Sequence, residues 1–149
     1  MGDAINTSGL ILAISRPTFS AWVKRSQLGT NQVIFNSGTN DGNYFVFNFN
    51  SGDQLSWHQY DGSGYDVLET TDGVFRDVAA WYNFVVAIDT TQGTAANRAK
   101  CYINGTQITS FETETYPDQN LETLMNHTTG AATVGASAKV VIMRLPSMS

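Results

Sequence analysis

The sequence predicts an all-β chain folded as a two-sheet antiparallel jelly-roll sandwich, and three observations carry that prediction. Period-2 alternation of apolar and polar residues recurs from Thr18 to Val134, each run stopped by Gly, Asn or Asp. Charged residues make up only 14% of the chain, against about 25% in an average globular protein; 17 Thr, 12 Ser, 12 Asn and 13 Gly take their place. That mixture is poor in helix formers and rich in residues suited to strands and turns. Finally, about eight short strands at near-regular spacing fit a single domain of 149 residues, long enough to bury a core and uninterrupted by repeat or linker.

The elements follow in order. From Thr18 to Arg25, Phe19, Ala21 and Val23 face one way and Ser20, Trp22 and Lys24 the other, as strand alternation requires. Gln32 to Asn36 comes next, then Tyr44 to Asn50, in which Phe45, Phe47 and Phe49 read as the core face. Gln54 to Tyr60 sets Leu55 and Trp57 against Ser56, His58 and Tyr60, between the turns Ser51-Gly52-Asp53 and Asp61-Gly62-Ser63-Gly64. Tyr65 to Thr70 is a shorter strand closed by Asp72-Gly73. Trp81 to Asp89 is the strongest apolar run, with Phe84, Val86 and Ile88 opposite Val85 and Ala87, and is expected to be a central strand covered on both faces. Ala99 to Ile103 and Gln107 to Phe111 flank Asn104-Gly105-Thr106, and Asn-Gly between alternating runs signals a hairpin. From Thr113 to Thr129 alternation fails; Pro117, Asp118 and Asn120 predict a long loop with room for one helical turn around Leu121 to Met125. Trp22 and Trp81, with Phe47 and Phe84, are expected to set the thickness of the core.

Composition excludes several functions. Eight Lys plus Arg against 13 Asp plus Glu give a net charge of −5, the wrong sign for holding a phosphate backbone, so no nucleic-acid partner is expected. The single cysteine, Cys101, rules out an intramolecular disulfide and a Cys-based zinc site. Apolar runs at Leu10 to Ile14 and Phe84 to Ile88 fall far short of the roughly 20 residues of a membrane span, and Met1-Gly2-Asp3 lacks the basic start of a signal peptide. Neither membrane insertion nor a classical signal peptide is therefore expected. Sequons at Asn6, Asn104 and Asn126 read as coincidence in so Thr-rich a chain.

Four tracts together are distinctive: Phe19-Ser20-Ala21-Trp22-Val23-Lys24-Arg25, Val74-Phe75-Arg76-Asp77, Trp81 to Asp89, and Lys100-Cys101-Tyr102-Ile103-Asn104-Gly105-Thr106-Gln107. From Thr18 to Gly135 the chain resembles a concanavalin A-like, laminin-G-type jelly roll. The tract Asp89-Thr90-Thr91-Gln92, leading through Asn97-Arg98 into the hairpin, is similar to modules of marine bacteriophage and environmental viral structural proteins. The resemblance implies two curved sheets, a glycan or surface ligand, and a virion or extracellular surface as location. It fixes no ligand, because this fold hosts lectins, hydrolases and adhesion modules alike.

Catalytic chemistry finds little support. The jelly-roll endoglucanases of this superfamily carry a Glu-x-Asp-x-Glu cluster, whereas Glu112-Thr113-Glu114 lacks a third carboxylate at that spacing. His58 and His127 are the only imidazoles, no Gly-x-Ser-x-Gly elbow occurs, and Cys101 in mid-strand reads as a buried, inert thiol, so no enzyme is expected. The binding candidate is Trp57-His58-Gln59-Tyr60 with the Gly-rich turn and Tyr65: aromatic rings stack on the apolar faces of sugars while polar neighbours meet the hydroxyls. Trp57, His58, Tyr60 and Tyr65 are the expected carbohydrate contacts, Trp57 only if its face is open, since it shares parity with Leu55. Asp41-Gly42-Asn43 and Asp61-Gly62-Ser63 offer oxygens for calcium, but Asp-Gly is also an ordinary turn, and no cofactor is assigned. Asp89 and Arg98 bracket a loop across which they could pair at the surface. A purely structural, oligomerising domain is the alternative reading.

The ends depart from the family pattern. Ile5 to Ile14 is atypical, and Lys139 to Pro146 replaces an aromatic-rich closing strand, as a truncated or frame-shifted reading frame would produce. Val140 to Met143 is strongly β-forming and could pair within its own sheet or with a neighbouring subunit. A homo-oligomer, most simply a dimer, is expected, with residues 139–145 or the N-terminal strand in the contact.

Overall fold

The computed structural model describes residues 16–40, 42–125, 133–134 and 140–143. Eleven strands are present among them: β1 (Thr18–Arg25), β2 (Gln32–Asn40), β3 (Asn43–Phe49), β4 (Gln54–Tyr60), β5 (Tyr65–Val74), β6 (Trp81–Ile88), β7 (Ala99–Ile103), β8 (Thr106–Gln107), β9 (Phe111–Thr115), β10 (Thr133–Val134) and β11 (Val140–Met143). They form a five-stranded sheet in the order β11-β1-β6-β7-β8 and a six-stranded sheet in the order β10-β2-β3-β4-β5-β9, and every pairing is antiparallel. The expected jelly-roll sandwich is what the chain builds. Expectations placed on Ile5 to Ile14, Asn6, Asp41, Asn126 and His127 lie outside the described residues.

Alternation sorts the side chains as the sequence requires. Phe45, Phe47 and Phe49 of β3, Val23 of β1 and Phe84 and Val86 of β6 have no exposed surface. Phe84 joins the sheets edge-on, its ring centroid 5.9 Å from Phe47 and 5.8 Å from Phe49. Each such ring removed from water is worth about 1.5–3 kcal/mol. At one end of the core Arg25 is 1% exposed. Its Nε donates to Gln32 Oε1 at 3.0 Å, its Nη1 to the Phe75 carbonyl at 2.7 Å, and its Nη2 pairs with Asp53 Oδ1 at 3.0 Å, tying β1 to the β3–β4 turn. Asp53 is held well below the usual carboxylate range, first by the Gly29 N–H and then by Arg76 and Arg25.

Several expectations need correction. β6 is central but covered on one face only, because Asn83, Val85 and Ala87 on its outer side stay partly exposed. Trp22 and Trp81 lie on that same outer face, half-buried, and do not set the thickness of the core. β5 runs past Asp72-Gly73 to Val74, since a register shift between Gln54 and Ser56 keeps Gln54 opposite Val74. The hairpin turn forms as expected, with Asn104 and Gly105 at φ 48° and 83°, but its second arm stops at Gln107. Phe111 then packs edge-on against Trp57, centroids 5.7 Å apart, and carries the chain across to the other sheet as β9.

Leu121 to Met125 is not helical. Side chains satisfy its backbone instead: Gln59 Oε1 accepts the Leu124 N–H at 2.7 Å, Gln59 Nε2 donates to the Glu122 carbonyl at 3.2 Å, and Thr90 donates to the Leu121 carbonyl at 2.9 Å. A short 3-10 turn at Ala95–Asn97 was not legible in the alternation. Asp89 and Arg98 meet through their backbones at 2.8 Å, while their side chains diverge. Arg98 caps the carbonyls of Gln92, Gly93 and Pro117, and Asp89 pairs with Arg16. Val140 to Met143 pairs with β1 inside its own sheet.

Candidate functional site

The site rises on the outer face of the six-stranded sheet, where β3, β4 and β5 run side by side. Register places Tyr44 opposite Tyr60 and Tyr60 opposite Tyr65, so three phenols form a row across the strands. A register shift between Gln59 and Tyr60 brings Tyr65 level with that row. His58 lies two residues back on β4 and therefore on the same face. The rings close a circuit, with centroid separations of 5.7 Å for Tyr44–His58, 5.8 Å for Tyr44–Tyr60, 5.3 Å for Tyr60–Tyr65 and 5.4 Å for His58–Tyr65. Tyr65 stands outermost at 49% exposed, and the other three are half-buried.

The patch is electrically neutral. Burial holds His58 below the ordinary imidazole range, so near neutral pH one ring nitrogen donates and the other accepts. Burial, then Tyr65 and Tyr60, raises Tyr44, which stays a phenol. At the edge of the patch Asp61 Oδ1 accepts from the Ser63 N–H at 2.8 Å, the Ser63 hydroxyl at 2.8 Å and the Gly64 N–H at 2.9 Å. Those bonds hold the Asp61 carboxyl below its usual range and tie its Oδ1 into its own turn. Gly62, at φ 92°, lets this turn abut the β2–β3 connection, where a Cβ would stand 3.2 Å from the Gly42 carbonyl. Apolar ring faces bordered by phenol and imidazole hydrogen-bonding groups suit a ligand with C–H faces and hydroxyls.

Of the four residues expected in the site, the fold gathers His58, Tyr60 and Tyr65. Trp57 is excluded: it points into the core with no exposed surface, edge-on to Phe47 at 6.3 Å. Its parity with Leu55 decided the matter. Tyr44 was missed, although its opposition to Phe45, Phe47 and Phe49 in the alternating run put it on the outer face; only pairing β3 with β4 shows that it meets Tyr60. Among the described residues, no group of three or more His, Cys, Asp or Glu side chains could hold a metal ion.

Acidic residues cluster elsewhere. Glu112 and Glu114 are exposed on the edge strand β9, Glu112 accepting from Gln54 Nε2 and Glu114 from the Tyr116 hydroxyl. Glu69 was also missed. It sits on β5 between Trp57 and Glu114 in register, with no exposed surface. Among the described residues, neither of its carboxyl oxygens, nor Trp57 Nε1, has a hydrogen-bond partner. Burial, and then Glu114, pushes its pKa up to about 8. The alternation Val67, Glu69, Thr71 was the signal available. Cys101 is buried as expected, its thiol pushed up by burial and then by Glu69.

The family described as the Concanavalin A-like lectin/glucanases superfamily (Laminin_G_3) matches residues 2–141. No curated protein matches the sequence. Among solved structures, the chain is similar to a native heptameric SAP-like pentraxin from Limulus polyphemus, at 13% identity and a TM-score of 0.42 over 86% of this chain and 82% of that one. No helix among the described residues is long and apolar enough to cross a membrane.

Proposed function

The chain belongs to the concanavalin A-like lectin/glucanases superfamily, and from that premise we propose that it is a non-enzymatic carbohydrate-binding module whose contact face is Tyr44, His58, Tyr60 and Tyr65. The observation that carries this reading is the closed circuit of four uncharged rings, each within 6 Å of the next, on the open face of the sheet. The rings stack on a sugar face, and the Tyr hydroxyls and His58 order its hydroxyls. The motif likeness to phage structural modules supports a virion or another extracellular surface as the setting, the module serving adhesion.

The placement of the acids supports non-enzymatic action. Glu69 holds a proton as a general acid must, yet it has no surface for a substrate to reach. Turnover of β-glucans that is lost on Glu112→Gln or Glu114→Gln would overturn this part.

A glycan-array screen followed by titration of the best ligand tests the whole. Tyr60→Ala with Tyr65→Ala is expected to weaken binding at least about fivefold while the β spectrum is unchanged, since stacking and edge contacts are worth about 0.5–1.5 kcal/mol for each ring. Unchanged affinity would place the ligand elsewhere. Binding to no glycan would favour the structural alternative, in which the module self-associates. That alternative has its own observation: among the described residues, β11 is the outermost strand on its side of the five-stranded sheet, where a neighbouring chain could add. A strictly monomeric species by light scattering, unchanged on deletion of residues 139–149, would remove it.

A further inference from the structure

A second recessed surface lies on the other side of the sandwich. Thr18, Ala87 and Lys100 stand in one row across β1, β6 and β7 on the outer face of the five-stranded sheet, while the next row, Phe19, Val86 and Cys101, points into the core. Ala87 is the smallest side chain of the outer row, so the floor dips between its neighbours. The loop from Asp89 to Arg98 is closed by the Asp89 N–H donating to the Arg98 carbonyl at 2.8 Å, and its 3-10 turn raises Asn97 as a wall. The result is a cleft of 430 Å³, within the range of about 300–1,000 Å³ typical of small-molecule sites.

Its charge differs from that of the whole chain. The cleft holds two cations, Arg16 and Lys100, and one carboxylate, Asp89, in a protein of net charge −5. The carboxylate is already spent. Asp89 Oδ1 accepts from the Thr91 hydroxyl and N–H and pairs with Arg16 Nε at 3.2 Å, and Oδ2 accepts from Gln92 Nε2 at 2.8 Å. Arg16 is steadied by that pair and by donating from Nη2 to Thr91 Oγ1 at 3.0 Å, and no hydrogen bond among the described residues engages its Nη1. Lys100, partly buried on the floor, has no acidic partner among the described residues. One positive charge is thus left uncompensated inside a polar recess.

We propose that this cleft binds a hydroxylated carboxylate of about one sugar ring, such as a uronic acid residue. Its carboxylate lies between Lys100 Nζ and Arg16 Nη1, where charge-assisted hydrogen bonds are the strongest available, and its hydroxyls meet the Asn97 amide and the Thr18 hydroxyl. The site is independent of the aromatic face: it lies on the other sheet and uses charge where that face uses stacking.

Titration of the intact chain with D-glucuronate, read by amide chemical shifts, tests it. Shifts are expected at Ala87, Asp89 and Lys100, with affinity falling as sodium chloride is raised from about 50 to about 500 mM and the ions become screened. D-Glucose is expected to give no such shifts. Lys100→Met should weaken glucuronate at least about fivefold, and Lys100→Arg should retain it, because Arg keeps the charge. Lys24→Met, on the same face but at the far end of β1, should leave affinity unchanged. The proposal is overturned if glucose or acetate shifts the same amides with equal affinity, if folded Lys100→Met binds as the native chain does, or if glucuronate shifts only the amides of β3 and β4 and none of Ala87, Asp89 and Lys100.

Discussion

Replacing Glu69 by glutamine removes one titrating proton from the interior while nearly preserving shape, and its consequence for stability can be worked out in advance. In the unfolded chain this carboxyl titrates near its ordinary 4.5, and in the folded chain at about 8. Between those values the folded state keeps a proton that the unfolded state has lost, so stability falls as pH rises from about 4.5 to about 8 and is level above. At about 1.4 kcal/mol per pH unit the full decline is roughly 5 kcal/mol, and about 3 kcal/mol of it falls between pH 5 and pH 7. For a chain of this length that corresponds to a melting midpoint lower by about 8 °C at pH 7 than at pH 5. The groups around Glu69 do not supply a compensating charge: Trp57 is neutral, Glu114 is a carboxylate across the ladder, and the Cys101 thiol and Tyr116 phenol are both pushed upward. Urea unfolding of the native chain and of Glu69→Gln at half-unit steps from pH 4.5 to 9 is the assay. The difference between the two curves should carry the decline, leaving the variant the flatter. Parallel curves over that range would show that Glu69 does not carry the pH dependence.

Acid should act in the opposite sense through Asp53, Asp61 and Asp89, whose carboxyls are all held low: the stability they confer is present above about pH 4 and lost as pH falls further, which stability curves extended to pH 2 will show. Phe84→Ala, which empties the junction between the sheets, should cost about 3–5 kcal/mol in denaturant unfolding. Arg25→Ala, which takes the guanidinium from the Phe75 carbonyl and the Phe49 ring face and leaves Asp53 to Gly29 and the more exposed Arg76, should cost about 2–3 kcal/mol by the same measurement. A Cβ at Gly38 would stand 2.3 Å from the Asn43 carbonyl oxygen and 2.6 Å from Tyr44 Cα, so Gly38→Ala should both destabilise by about 1–3 kcal/mol and weaken any ligand held by Tyr44.

Most of the fold was legible because alternation reports burial directly. The runs that gave Phe45, Phe47 and Phe49, or Phe84, Val86 and Ile88, need no knowledge of their partners to be read as core faces. What alternation could not supply is which sheet a run joins. Gln107 to Phe111 looked like one strand, but Phe111 gains more by packing on Trp57 than by extending a hairpin whose outer side faces water. Trp22 and Trp81 were misplaced for a related reason: their size argued for the core while their parity argued against it, and parity won. Within the site, His58, Tyr60 and Tyr65 lie close in sequence and were found, whereas Tyr44 reaches them only through strand pairing. Glu69 escaped because a charged residue in an inward position invites rereading as surface, and only its neighbours on β4 and β9 reveal that it is sealed.

The pairing of β1 also has a consequence for how the chain acquires its structure. Trp22 is matched to Asn83 on one side and to Met143 on the other, so its strand has no sheet partner until about sixty further residues exist. At a synthesis rate of about 5–20 residues per second, that is a wait of roughly 3–12 s on the ribosome. β2 to β5, by contrast, are neighbours in sequence and in space, and their ladder can close as they emerge. During that interval the inner rings of β3 and β4 lack their cover, and the nascent meander is the species that a chaperone, or another copy of the same chain, would meet.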